Sequence, residues 1–76
     1  MMPDKISVMS DCLKKRFPRA NVQIDDISGG CGSMFSVFVK TDEFKNMSLL
    51  KQHKSVNQTL KDHIRDMHGI RIKTSH

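Results

Sequence analysis

A chain of 76 residues holds one domain and no more, so residues 1–76 read as a single unit with a modest core. Its two cysteines cannot make a disulfide-dense secreted scaffold, which favours a reducing compartment, and no apolar run approaches the ~20 residues that a membrane span requires. The formal net charge of +5, from 13 Lys and Arg against 8 Asp and Glu, leaves nucleic acid, an anionic surface or an acidic protein open as partners.

In chain order, Met1-Met2-Pro3-Asp4-Lys5 carries no apolar signal core and no Arg-rich presequence, so a targeting peptide is expected to be absent or already removed. Ile6, Met9 and Leu13 recur at helical spacing with Cys12 and Phe17 nearby. They predict a helix from about Lys5 to Arg16, ended by Pro18. Lys14, Lys15, Arg16 and Arg19 gather where this helix closes. Cations there complement the helix dipole, so the cluster reads as a solvated helix end rather than a nucleic-acid patch. Val22, Ile24 and Asp26 alternate toward a short strand ending near Ile27. Phe35, Val37 and Val39 alternate with Met34, Ser36 and Phe38 as a second strand, and the Gly-rich connection between them favours an antiparallel hairpin.

Thr41-Asp42-Glu43-Phe44 reads as a cap and a single turn. From Ser48 the pattern is helical: Leu49, His53, Val56, Leu60, Ile64 and Met67 form one stripe, opposite Lys51, Lys54, Gln58, Lys61, Asp62 and Arg65. Gly69 is expected just beyond the helix end with a positive φ, which places His68 at the last helical position or the cap. Ile70, Ile72 and Thr74 alternate as a third strand. The order helix–strand–strand–helix–strand is an α+β fold. Its helical crossover allows the third strand to run parallel to a neighbour, with both helices covering one face of a three-stranded sheet and the other face partly open.

Cys31 stands in Ile27-Ser28-Gly29-Gly30-Cys31-Gly32-Ser33-Met34, where small neighbours leave a thiol accessible and glycine permits positive φ. Of the four histidines, His76 is terminal and His63 reads as a surface residue. His53 lies on the apolar stripe, where a satisfied core or boundary histidine is the expectation and a ligand the less favoured role. His68 stands at the rim, either as a dipole-favoured helix-end histidine or as a partner of Cys31. Periodicity does not show that Cys31 and His68 converge. No Cys-x-x-Cys or His-x-x-x-His occurs, and a structural zinc site or an iron–sulfur cluster wants four ligands. Any metal site formed by Cys31 and His68 is therefore incomplete and has to be shared. A nucleophile–base pair of Cys31 with His53 or His68 lacks an orienting third group and an oxyanion motif, so no enzyme is expected. Gly29 to Gly32 spells the Gly-x-x-Gly of nucleic-acid-clamping loops. Here it joins strands rather than helices, in a chain without Trp or Tyr to stack bases.

The stretches Phe17-Pro18-Arg19-Ala20, Asp26 through Met34, Gln52-His53, Val56-Asn57-Gln58 and Met67-His68-Gly69 together resemble the BolA family, most closely its mitochondrial subgroup. The resemblance runs from about Leu13 to Ser75 and implies a KH-like fold of the order just read. It also implies a monothiol glutaredoxin partner and a [2Fe-2S] cluster bridged between the two proteins, with a cysteine and a glutathione thiol from the glutaredoxin side. Carried over by position, the ligands from this chain are Cys31 and His68, and no cofactor is expected on the isolated chain. The implied role is non-enzymatic cluster assembly and trafficking toward iron–sulfur client proteins. The implied compartment is the mitochondrial matrix, with cytoplasm as the alternative. A nucleic-acid-binding regulator is the competing expectation. Many family members carry Arg before the mid-helix histidine, where this chain has Gln52.

Overall fold

The computed structural model describes residues 5–29, 34–65 and 69–76. Helix α1 (Lys5–Arg16) is followed by strands β1 (Asn21–Asp26) and β2 (Met34–Lys40), a 3₁₀ turn (Asp42–Phe44), helices α2 (Leu49–Thr59) and α3 (Lys61–Ile64), and strand β3 (Gly69–Ser75). The strands form one sheet in the order β1-β2-β3. β1 pairs with β2 antiparallel, as the short connection favours, and β2 with β3 parallel, as the helical crossover allows.

Side-chain alternation assigns the faces. Phe35, Val37 and Val39 of β2 are buried, and their register partners on the same face are Ile70, Ile72 and Thr74 of β3 and Val22 and Ile24 of β1. Asp26, opposite Phe35, stays exposed at the end of its strand. Met9 and Leu13 of α1, Phe17, Phe44, and Val56 and Leu60 close the core. Phe17 and Phe44 meet edge to face with centroids 5.2 Å apart, a favoured aromatic geometry. α1 ends as its apolar spacing and Pro18 predict: Phe17 N–H still donates to the Leu13 carbonyl (2.7 Å), and Ala20 N–H turns back to Phe17 (3.0 Å). The cations of its last turn are exposed, and the Arg16 guanidinium lies 4.6 Å from the centroid of the Phe17 ring.

Three features of the second helical region differ from expectation. The single long helix is two, α2 and α3, separated at Leu60 (φ −99°, ψ 6°). Just before it the Thr59 hydroxyl donates back to the Ser55 carbonyl (2.8 Å), a side-chain bond of the kind that competes with the helical ladder, while Leu60 stays in the core. Leu49, placed on the buried stripe by its spacing, is 62% exposed. It shares an azimuth with Val56 but belongs to a first turn that extends beyond the buried layer. The inward position one turn on is taken by Gln52, which is 6% exposed. Finally, Gly69 does not end a helix with a positive φ. Helix α3 ends at Ile64 with Arg65 as cap, and Gly69 opens β3.

Candidate functional site

The sheet edge at which β2 and β3 begin is built from both connections. On the hairpin side the ladder extends one step past β1, with Ile27 N–H donating to the Met34 carbonyl at 3.0 Å. Asp26 Oδ1 then accepts from both the backbone N–H (2.8 Å) and the hydroxyl of Ser28, an Asx turn that fixes how the chain leaves the strand. Gly29 follows at φ +76°, a conformation that any side chain would resist. Cys31 lies in residues 30–33 and His68 in residues 66–68, and both fall outside the described residues, as does Met67 of the expected stripe.

What is described is the pair of strand starts that flank them. Met34 and Gly69 are register partners at the head of the parallel ladder. A Cβ added to Gly69 would stand 3.6 Å from Met34 Cε, so the thioether side chain already lies against the β3 backbone. Met34 and Ile27 are both exposed, which gives this edge an apolar lip.

Gln52, next to His53, holds the fold rather than a ligand. Its Nε2 donates to the carbonyls of Phe44 (3.1 Å) and Met47 (2.8 Å), and its Oε1 accepts from the Thr74 hydroxyl (2.6 Å). Each of these bonds uses an amide dipole, and two need a donor and an acceptor on one side chain, which Arg does not offer. His53 is half-buried on α2, the boundary position its spacing predicts. Among the described residues no group of three or more His, Cys, Asp or Glu is close enough to hold a metal, so His53 joins no such cluster.

His63 departs from its expected surface position. It is half-buried, with Nε2 3.3 Å from Cys12 Sγ. Either the thiol donates to Nε2 or Nε2–H donates to sulfur, according to the ring tautomer. The sequence signals half of this contact: Cys12 sits among Met9 and Leu13 on the inner side of α1. The other half is legible too: His63 lies seven residues beyond buried Val56, near the same helical azimuth. His76 is exposed beyond β3. On the sheet face away from the helices, Gln23, Phe38 and Lys73 align in one cross-strand row, and Asp25, Ser36 and Arg71 in the next.

Comparisons with known proteins agree on one family. The family model described as BolA-like protein matches residues 1–76. BolA-like protein 3 of Mus musculus is 48% identical over 68 residues, covering 88% of this chain and 62% of the relative. The Homo sapiens protein of the same name is 47% identical over 68 residues, covering 88% and 64%. The chain thus spans a little over three-fifths of the length of these curated relatives, 62% and 64%. Among solved structures, BolA1 from Arabidopsis thaliana superposes with a TM-score of 0.88 at 23% identity, covering 97% of this chain and 93% of that one. A BolA-like protein from Rickettsia prowazekii gives a TM-score of 0.71 at 29% identity, covering 97% and 96%. With residues 1–76 matched by the family model and its fold superposing on these structures, the chain belongs to the BolA family.

Proposed function

We propose that this chain is a non-enzymatic iron–sulfur cluster assembly and trafficking factor. It binds a monothiol glutaredoxin and shares with it a bridged [2Fe-2S] cluster destined for iron–sulfur client proteins. Cys31 and His68 are its two ligands, and a glutaredoxin cysteine and glutathione complete the set. The observation that carries the reading is the pairing of Met34 with Gly69. Cys31 is joined to the first of these strand starts by a short peptide and His68 directly to the second, so the described backbone supports a common edge for both. The donor chemistry also fits: thiolate and imidazole are both cluster ligands, and the mixed set raises a cluster's potential relative to all-thiolate ligation. The family resemblance to the mitochondrial subgroup supports the matrix as the compartment.

The test is spectroscopic. The chain is mixed with a cluster-loaded monothiol glutaredoxin, and visible absorption and circular dichroism are recorded. A changed spectrum that the Cys31→Ala, His68→Ala double variant fails to produce is the expected result. Unchanged spectra, or a double variant that behaves like the wild type, overturn the proposal.

One observation favours a second reading, a nucleic-acid-binding regulator with a KH-like fold. Among the described residues, the strands of the uncovered sheet face carry Phe38 with exposed Lys40, Arg71 and Lys73 around it and one carboxylate, Asp25. An aromatic among cations suits a single strand, and binding would then weaken steeply with salt. A flat titration against mixed oligonucleotides at low salt dismisses it.

A further inference from the structure

Cys12 and His63 are 51 residues apart in sequence, yet the thiol of α1 and the imidazole of α3 stand 3.3 Å apart. Neither belongs to the sheet edge described above, and the family reading assigns neither a role. Both side chains are half-buried, so the sulfur is held in place without being sealed from solvent. A thiol in hydrogen-bond contact with an imidazole has a base within reach, and partial exposure admits a co-reactant.

We propose that Cys12 is a modification site for small disulfides of the glutathione type, with His63 as the base that takes its proton. The step is one thiol–disulfide exchange. The Cys12 S–H proton passes to His63 Nε2, and the sulfur attacks one sulfur of the disulfide. A new S–S bond forms as the old one breaks, and the departing thiolate takes the proton from His63. One thiol and one disulfide become one mixed disulfide and one thiol. Cys12 is oxidised, and half of the small disulfide is reduced. The chain's net charge of +5 favours the approach of an anionic disulfide such as that of glutathione. Once the sulfur is in the mixed disulfide it has no proton to share with His63 Nε2, so the thiol–imidazole contact is lost in that form. Helix α3 is short and has no fully buried residue of its own, and Ile64 packs against the core beside this contact.

The test uses the full chain with Cys31→Ala, which leaves Cys12 as the sole thiol of the two present. Mixed-disulfide formation with glutathione disulfide at neutral pH is followed by intact-protein mass. The folded chain is expected to react at least about tenfold faster than the same chain carrying H63Q, and faster than the same chain unfolded in urea. Equal rates with and without H63Q overturn the proposal. So does a folded rate at or below the urea rate, which marks Cys12 as a shielded core thiol. Should H63Q fail to fold, the folded-against-unfolded comparison decides alone. The outcome is independent of the cluster experiment, since Cys12 is not a ligand in that reading.

Discussion

Gln52→Leu tests whether this amide holds the domain together. The substitution keeps the approximate volume of the side chain but deletes three hydrogen bonds at a site only 6% exposed. Each neutral bond contributes about 1 kcal/mol net; the Phe44 carbonyl keeps the Met47 N–H (3.1 Å), while the Met47 carbonyl and the Thr74 hydroxyl lose this partner. Added apolar burial returns on the order of 1 kcal/mol. The expected net loss is therefore about 2–3 kcal/mol. A domain of 76 residues has roughly 4–11 kcal/mol in total. The loss corresponds to a fall in Tm of about 10–20 °C. Thr74→Val removes only the 2.6 Å bond and should cost about 1 kcal/mol. Because both changes remove the same bond, the double variant should fall short of additivity by about 1 kcal/mol. Urea unfolding followed by far-ultraviolet circular dichroism is the assay, since the chain has neither Trp nor Tyr to report by fluorescence. A loss below about 0.5 kcal/mol for Gln52→Leu, or full additivity in the double variant, refutes the argument.

Two further comparisons use the same unfolding assay. Gly29→Ala meets nothing within 4 Å, yet its φ of +76° makes an L side chain cost about 1–2 kcal/mol. Gly69→Ala brings a methyl to an ordinary 3.6 Å contact with Met34 Cε at a φ that side chains accept, and should stay within about 0.5 kcal/mol of wild type. The reverse order would show that space rather than backbone conformation decides at these glycines. Ser48 Oγ accepts from Lys51 N–H at 3.2 Å, so Ser48→Ala should cost about 1 kcal/mol of stability. Ser48→Asp should restore it, because the first turn of α2 has no acidic residue to meet the helix dipole. Equal stability of the Ala and Asp variants would remove the cap from the account.

What could be read from the sequence depended on whether one period or several competing bonds set the local structure. Phe35, Val37 and Val39 alternate without exception, so β2 and its inner face were legible, and the long crossover made a parallel β3 available. The helical stripe was legible only in part. Val56 and Leu60 are buried as their spacing requires, but Leu49 at the same azimuth is exposed, because periodicity gives direction and not depth. Gln52 was hidden by its polarity: an amide reads as surface until the carbonyls it serves, on Phe44 and Met47, are seen to approach it. The break at Leu60 falls beside the bond of the Thr59 hydroxyl to the Ser55 carbonyl, a local contact that no hydrophobic pattern encodes. His63 was misplaced for its polarity too: it lies seven residues beyond buried Val56, near the same azimuth, but an imidazole reads as surface until Cys12 is seen to meet it.

The common edge of β2 and β3 is held by the core rather than by the connections that enter it. In an antiparallel hairpin the loop delivers the chain to the start of its second strand, and a parallel third strand starts at that same edge. How far along the edge the two starts stand apart is then a matter of register alone. A slip of β3 by one residue would turn Ile70, Ile72 and Thr74 to the open face and bring Arg71 and Lys73 against Phe35, Val37 and Val39. Burying two cations there without partners would cost several kcal/mol, comparable with the stability of the whole domain. The register is thus pinned by Phe35 against Ile70 and Val37 against Ile72. Met34 and Gly69, one step before Phe35 and Ile70, meet in the register that this packing sets, since a slip by one residue would turn the cations inward.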